Sequence, residues 1–477
     1  MQLRITLVLA FLMSSLCTSF ADDSAMPLPI RDNQGRQIVA GGFVTITEDL
    51  KGTVRYSADD YRRMVQMGAN FQVIRTALGR LGGWPGQEED PNYLQQLDEM
   101  VRMARDAGLQ TIFKLVVYDI RPFGHPQWDA IYQNTNGAQD KLLNAWSKLW
   151  IRYKDDPSVF GYDILNEPQR GLDSNLQRCF QEQLLPTQRR LVDAMQAISP
   201  DKWALYQPLY RETGAGTGPF LPMTVPFGRN RVIYAPHLYQ MNLDRMRKTL
   251  RRYEREAAIS DAPLLLGEWG PATDIAADSD VVMQERYTNV YRATATELDQ
   301  HGIGAIKAWF CGSRVELRSK TRREPFTWAI FSDKSAVGNV ERNYITDVLA
   351  RPRPLAIAGD LKDCQFDFDS RVLEVKLKPD EASGSSEIFV PRDRFYANGF
   401  RVEIGSEVVL EVKPDESQLS TSSVNNTPID TDAPTDMDVK RREQARHLHW
   451  DADLQRLVIK KWVLDVPVVT LRITPLA

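Results

Sequence analysis

The stretch that decides the fold is Val159-Phe160-Gly161-Tyr162-Asp163-Ile164-Leu165-Asn166-Glu167-Pro168. Its first seven residues make a short, mostly apolar run. That length and texture suit a strand buried on both faces, as in a parallel sheet wrapped by helices. Asn166, Glu167 and Pro168 end it, because proline has no N–H with which to continue a hydrogen-bonded ladder. Glu167 therefore stands where a buried strand stops.

Working outward, the same texture recurs at 38–46, 70–75, 109–118, 203–207, 232–236, 264–267 and 304–310, which with 159–165 gives eight strands. Amphipathic helices lie between most of them. Ser57-Ala58-Asp59-Asp60 reads as a capping-box start. Asp90-Pro91 opens the next helix and Gly108 closes it. Segments 138–154, 174–198, 246–259 and 281–301 follow. Strand–helix units in this number predict a (β/α)8 TIM barrel. An open doubly wound sheet would carry a glycine-rich phosphate loop after its first strand, and none is present.

Past Arg351-Pro352-Arg353-Pro354 the pattern changes to alternating apolar and charged residues, as in Val372-Leu373-Glu374-Val375-Lys376-Leu377. Such alternation marks half-buried antiparallel strands. The expected organisation is a signal peptide at 1–21, the barrel at 22–355, and a C-terminal antiparallel β-sandwich at 356–477. A polar loop at 414–446, poor in bulky apolar residues, interrupts the sandwich. The signal reading rests on Arg4, the apolar run 5–16 and the small-x-small site Ser19-Phe20-Ala21. That run is too short to span a bilayer, so a secreted product, extracellular or periplasmic, is expected.

The chain has 477 residues, 43% hydrophobic and 26% charged, with a formal charge of −4. No basic stripe with interleaved aromatics appears, which argues against nucleic acid as a partner. No metal-ligand spacing appears either, and no cofactor is expected. Cys179, Cys311 and Cys364 are too few and too widely spaced for a disulfide framework.

In such barrels the active site is built at the C-terminal ends of the strands. Arg75 stands at the end of strand two and Asp119 at that of strand three. Asn166 and Glu167 follow strand four, His237 and Tyr239 strand six, Glu268 strand seven, and Trp309 strand eight. Each carboxylate alone reads most simply as a solvated loop residue. Two of them facing each other across a barrel mouth, ringed by Arg, His, Tyr and Trp, are what glycoside hydrolysis requires. One must be protonated to donate to the leaving oxygen and the other ionised to attack the anomeric carbon. Arg75 near Glu268 would keep that group charged, with Tyr239 as a further donor, and His237 is suited to hold Glu167. Asn166 can reach a sugar hydroxyl, and Trp309 offers a floor for a pyranose.

Asn166-Glu167-Pro168, His237-Leu238-Tyr239, Gly267-Glu268-Trp269-Gly270 and Arg75 resemble the pattern of the retaining glycoside hydrolases of family 5, clan A, over about residues 36–350. The resemblance implies that Glu167 is the acid/base and Glu268 the nucleophile of a double displacement on a β-linked glycan or glycolipid. Residues 161–168 and 353–359 and the trailing sandwich are most similar to the endoglycoceramidase branch. If the substrate carries a lipid, peripheral membrane contact is implied. The apolar loop 216–227 could then line a slot for the tail, although packing on the barrel rim is its plainer reading. The sequence departs from the family at Arg121, where a His is usual, at Gln169 and at Leu238. Arginine stays charged and cannot shuttle protons, so Arg121 is expected either to bind substrate or to turn outward and pair with a surface carboxylate. It is also the best support for the alternative, a glycan-binding protein on a catalytically dead barrel. Both carboxylates being present argues against that alternative.

Overall fold

The computed structural model describes residues 28–49, 52–84, 88–117, 124–210, 219–221, 225–312, 325–333, 337–414, 418–420, 440, 443–464 and 466–476. The expected signal segment, Asp119, Arg121, half of the loop 216–227 and most of the loop 414–446 lie outside them.

Eight parallel strands form the barrel: β1 Gly41–Ile46, β2 Phe71–Ala77, β3 Gln110–Val116, β4 Val159–Asp163, β5 Trp203–Tyr206, β6 Val232–Tyr234, β7 Leu265–Trp269 and β8 Gly304–Lys307. The sheet runs in the order β6-β5-β4-β3-β2-β1-β8-β7. A parallel bridge between Tyr234 and Leu264 closes it, and His237–Leu238, just past β6, also pairs with β7. Helices α1 Ala58–Gln66, α2 Pro91–Asp106, α3 His125–Tyr132, α4 Ala138–Tyr153, α5 Leu185–Ile198, α6 Leu243–Ser260, α7 Val281–Gln300 and α8 Asn343–Leu349 surround the strands. Their starts follow from local chemistry. The Ser57 amide donates to Asp60 Oδ2 at 2.8 Å while Asp60 N donates back to Ser57 Oγ. Asp90 Oδ1 accepts from Asn92 N at 2.9 Å ahead of Pro91.

The differences from the expected elements have physical causes. Helix α6 begins before residue 246 because the Asn242 side chain caps it, accepting from Arg245 N at 2.9 Å. The single helix expected over 174–198 is instead a short turn at Leu176–Arg178, a π-helical turn at Cys179–Leu184 and then α5. Pro186, in the first turn of α5, has no N–H to donate back to the preceding turn. Between β5 and β6 the described residues hold no helix; Leu209–Tyr210 pairs antiparallel with Pro219–Leu221.

The C-terminal strands are β9 Arg353–Ile357, β10 Gly359–Phe366, β11 Leu373–Pro379, β12 Ser386–Phe389, β13 Phe400–Ile404, β14 Glu407–Val412, β15 Gln418–Ser420, β16 Leu448–Asp451, β17 Arg456–Ile459 and β18 Val469–Pro475. They form a five-stranded antiparallel sheet, β10-β11-β18-β13-β14, and a second sheet, β9-β12-β17-β16-β15. Both sheets contribute to one apolar core that includes Phe400, Val402, Trp450, Leu457 and Leu471. The second sheet gains a sixth strand from the other end of the chain, since Gln37–Ile38 pairs antiparallel with Ile357 and Ala356. The strand expected over 38–46 is therefore two strands in two sheets. Val39 packs in the sandwich core and Ala40 in the barrel core, so the chain changes layer between them. The expected boundary at 355/356 likewise falls inside β9.

Inside the barrel, Val44, Phe71, Val73, Ile112, Leu205, Ile233, Leu265 and Ile306 make an apolar plug. Side chains alternate along a strand, so the next inward position toward the C-terminal end falls on Arg75, Lys114, Asp163 and Gln207. That layer is polar, and the site stands on it.

Candidate active site

Glu167 follows β4 in a left-handed conformation, φ 44°. A glutamate there costs about 1–3 kcal/mol of backbone strain unless neighbours hold it. Gln207 holds it: its Oε1 accepts from Glu167 N at 2.9 Å, and its Nε2 donates to Asp163 Oδ2 at 2.8 Å. The Gln207 carbonyl in turn accepts from Gln188 Nε2 of α5 at 2.7 Å. Trp309, after β8, shares the left-handed geometry with φ 62°.

The Glu167 carboxylate is partly open, with its side chain 24% exposed, and its Oε1 lies 2.8 Å from His237 Nδ1. The imidazole is buried. The His237 backbone amide donates to Tyr210 OH, just past β5, and Tyr253 OH of α6 donates to the His237 carbonyl at 2.8 Å. Glu268 sits deeper, on β7, 7% exposed. Lys114 Nζ lies 2.9 Å from its Oε1, and Tyr239 OH donates to its Oε2. Tyr239 OH also lies 3.3 Å from His237 Nδ1, so imidazole and phenol bridge the two carboxylates.

The two carboxyl groups stand in different surroundings. Burial pushes the Glu268 carboxyl up, but the Lys114 ammonium, His237 and the Tyr239 hydroxyl overcome it and hold the group down at about 2. Burial and the adjacent carboxylates push the Tyr239 phenol well above its ordinary range, so it remains a donor. Burial likewise raises Asp163, against the opposing pull of Lys114, which lies 3.6 Å away. On β8, burial brings Lys307 down to about 7 while Glu268 pulls it upward.

The structure thus brings Glu167, Glu268, His237 and Tyr239 into one hydrogen-bonded group. Asn166, beside Glu167, is 1% exposed, and its amide donates to Leu115 O of β3 at 3.1 Å. A cation in contact with Glu268 is Lys114, which the sequence reading does not place there. Arg75 is next to Lys114 in register, and its guanidinium lies 5.7 Å from the Trp309 ring centre. Trp309 faces Trp328 at 6.5 Å, and Trp328 faces Tyr239 at 4.7 Å, so an aromatic wall flanks the carboxylates. Sequence reading passed over Lys114, Asp163, Gln207 and Trp328. For the first two the signal was present: a charged residue inside an apolar, doubly buried strand points into the barrel and needs a partner.

Among the described residues no group of His, Cys, Asp and Glu could hold a metal ion, and no helix is long and apolar enough to cross a membrane. Residues 49–311 match the model of Cellulase (glycosyl hydrolase family 5), and 351–435 match the Glycoside hydrolase family 5 C-terminal domain. Among curated proteins the chain is similar to Endoglycoceramidase I of Rhodococcus hoagii (strain 103S), with 25% identity over 305 residues, 60% of this chain and 56% of that one. It is also similar to Mannan endo-1,4-beta-mannosidase A of Podospora anserina, with 26% identity over 152 residues, 28% of this chain and 40% of that one. The chain thus spans about half the length of the curated relatives it matches. Among solved structures, Endo-glycoceramidase II from Rhodococcus sp., in its cellobiose-like imidazole complex, aligns with TM-score 0.66 at 19% identity, over 94% of this chain and 100% of that one. An endogalactoceramidase aligns with TM-score 0.64 at 16% identity, over 95% and 99%. At these identities the structural likeness concerns the fold. The family matches over the barrel and over the trailing domain carry the assignment: the chain belongs to glycosyl hydrolase family 5.

Proposed function

We propose that the protein is a secreted, retaining β-glycosidase that hydrolyses a β-linked glycan or glycolipid by double displacement. Glu268 is the nucleophile and Glu167 the acid/base. The observation that carries this reading is the contrast between the two carboxyl groups. Glu268 is buried, contacted by an ammonium and a phenol, and held ionised. Glu167 is partly open and rests on a single imidazole contact. Environments that differ in this way divide nucleophile from acid.

In the first step Glu268 attacks the anomeric carbon while Glu167 protonates the departing glycosidic oxygen. A glycosyl ester forms on Glu268 and the aglycone leaves as an alcohol. In the second step Glu167, now ionised, takes a proton from water, whose oxygen attacks the same carbon and releases Glu268. His237 donates to Glu167 and stabilises its ionised form between the steps. Asn166 reaches the sugar hydroxyl, and Trp309 supports the ring. Arg121 and Asp119, which follow β3 in sequence, are assigned to substrate binding. The names of the relatives support a ceramide-linked glycan ahead of a mannan as substrate. The expected segment 1–21 supports export, checked by the mature N-terminus, which should begin at Asp22.

The test is Glu268→Ala. Turnover of an aryl β-glycoside should fall by at least about 10⁴-fold, with azide restoring activity and yielding an α-glycosyl azide. Glu167→Ala with azide should yield the β-azide instead. Wild-type turnover by either variant overturns the assignment, and so does the same azide anomer from both variants. No cleavage of any aryl β-glycoside or glycolipid by the wild-type chain would return the reading to a glycan-binding barrel.

A further inference from the structure

We propose that Lys114 is a positioning residue that fixes His237 as its Nδ1–H tautomer, so that one buried ammonium orients both carboxylates, Glu268 directly and Glu167 through the imidazole. The proposal rests on the assignment of Glu167 and Glu268 as the reacting groups.

An ammonium has three N–H donors and no acceptor. Lys114 Nζ has three acceptors within bonding reach: Glu268 Oε1 at 2.9 Å, His237 Nε2 at 3.2 Å and Gly267 O at 3.2 Å. Asp163 Oδ2 lies farther off, at 3.6 Å, and already accepts from Gln207. The three protons are therefore matched to three acceptors, and His237 Nε2 must present its lone pair. The ring proton then belongs to Nδ1. Nδ1 lies 2.8 Å from Glu167 Oε1, so the imidazole donates there. A flipped ring would set carbon atoms against both Lys114 and Glu167 and lose both bonds. The flow of donors is directional, from Lys114 to His237 to Glu167, with a second branch from Lys114 to Glu268, which also accepts from Tyr239.

The strands explain why a lysine can do this. Lys114 points inward from β3, one inward position beyond Ile112 of the apolar plug, and is 1% exposed. The groups facing this centre are Arg75 from β2, Asp163 from β4, Gln207 after β5, His237 and Tyr239 after β6, and Glu268 from β7. Lys307 of β8 acts on Glu268 through its charge. Lys114 touches the nucleophile and the Nε2 side of the imidazole, whereas Tyr239 touches the nucleophile and lies 3.3 Å from Nδ1 on the other side of the ring. A second proton on Nε2 would set two donors against each other, so Lys114 keeps that nitrogen bare while Glu167 gains and loses its proton.

The test is long-range ¹H–¹⁵N correlation of the full chain labelled at its 5 histidines, with the His237 signals assigned from His237→Gln. In the wild type at about pH 7, Nε2 should show the shift of a bare nitrogen and Nδ1 that of a protonated one. In Lys114→Met, Nε2 should carry a proton under the same conditions. kcat/KM on an aryl β-glycoside should fall by about 10²-fold and its acid limb move to higher pH. Lys114→Arg, if folded, should keep Nε2 bare because a guanidinium also only donates. An Nε2–H signal in the wild type overturns the proposal, as does an unchanged tautomer in folded Lys114→Met. If Lys114→Met does not fold, the wild-type spectrum still decides. Absence of glycosidase activity would remove the roles of Glu167 and Glu268 yet leave the tautomer measurement intact, so the two failures are distinguishable.

Discussion

Tyr239→Phe removes one hydroxyl and little else, and its effect can be worked from the contacts. In the wild type that hydroxyl donates to Glu268 Oε2 while Lys114 holds Oε1. A hydrogen bond to a charged group contributes about 1.5–3 kcal/mol, and one pH unit corresponds to about 1.4 kcal/mol. The Glu268 carboxyl should therefore rise by about one to two units in the variant, from its position at about 2. Only the ionised form attacks, so the acid limb of kcat/KM, which reports the free enzyme, should move upward by the same amount. The plateau near neutral pH should fall much less, because Lys114 still keeps the nucleophile ionised there. The assay is a pH series on an aryl β-glycoside, with each sample returned to pH 7 afterward to exclude acid unfolding. Coincident acid limbs for variant and wild type would refute the argument that the phenol depresses Glu268. A limb shifted downward would reverse its sign.

Away from the site, His301 at the end of α7 lies 2.5 Å from Glu254 of α6, and the hydrogen bond to that carboxylate raises the imidazole above its ordinary range. A raised folded value stabilises fully below the unfolded value of about 6.5 and is lost as pH rises through the folded value. His301→Gln should thus lower the urea midpoint at about pH 5.5 by the equivalent of roughly 0.5–1.5 kcal/mol and leave it nearly unchanged at about pH 9. An equal loss at both pH values would count against the ion pair.

The barrel was legible because strands covered on both faces must be apolar, and runs of that kind separated by capped helices leave few alternatives. The strand ends were legible for a related reason: Pro168 and the polar residues after each run mark where the ladder stops. What escaped was set by partners distant in sequence. The break between Ile38 and Gly41 depends on β9, over three hundred residues later. Arg75 was expected near Glu268 because it stands at a strand end. Lys114, which contacts Glu268, escaped because its position mid-strand hid it inside a run that otherwise reads as core. Gln207 carried no local signal at all, since its function is to satisfy the Glu167 amide, and that need exists only once Glu167 adopts its left-handed turn.

The crossing at Val39–Ala40 bears on how the chain is made and how it can change. Arg353, on the first sandwich strand, donates to Val39 O at 3.1 Å across 314 residues of sequence and to Gly68 O at 2.6 Å. Gly41 has no side chain where that guanidinium lies: a Cβ there would come 1.8 Å from Arg353 Nη2. The residues leading into the first barrel strand to leave the ribosome therefore cannot be seated until β9, synthesised after the whole barrel, is available. The lead-in to the barrel thus waits for a non-local partner, and such non-local contacts slow folding. The same crossing makes the trailing domain hard to exchange by recombination. A replacement sandwich would have to supply both an edge for residues 37–38 and an arginine shaped to the notch at Gly41.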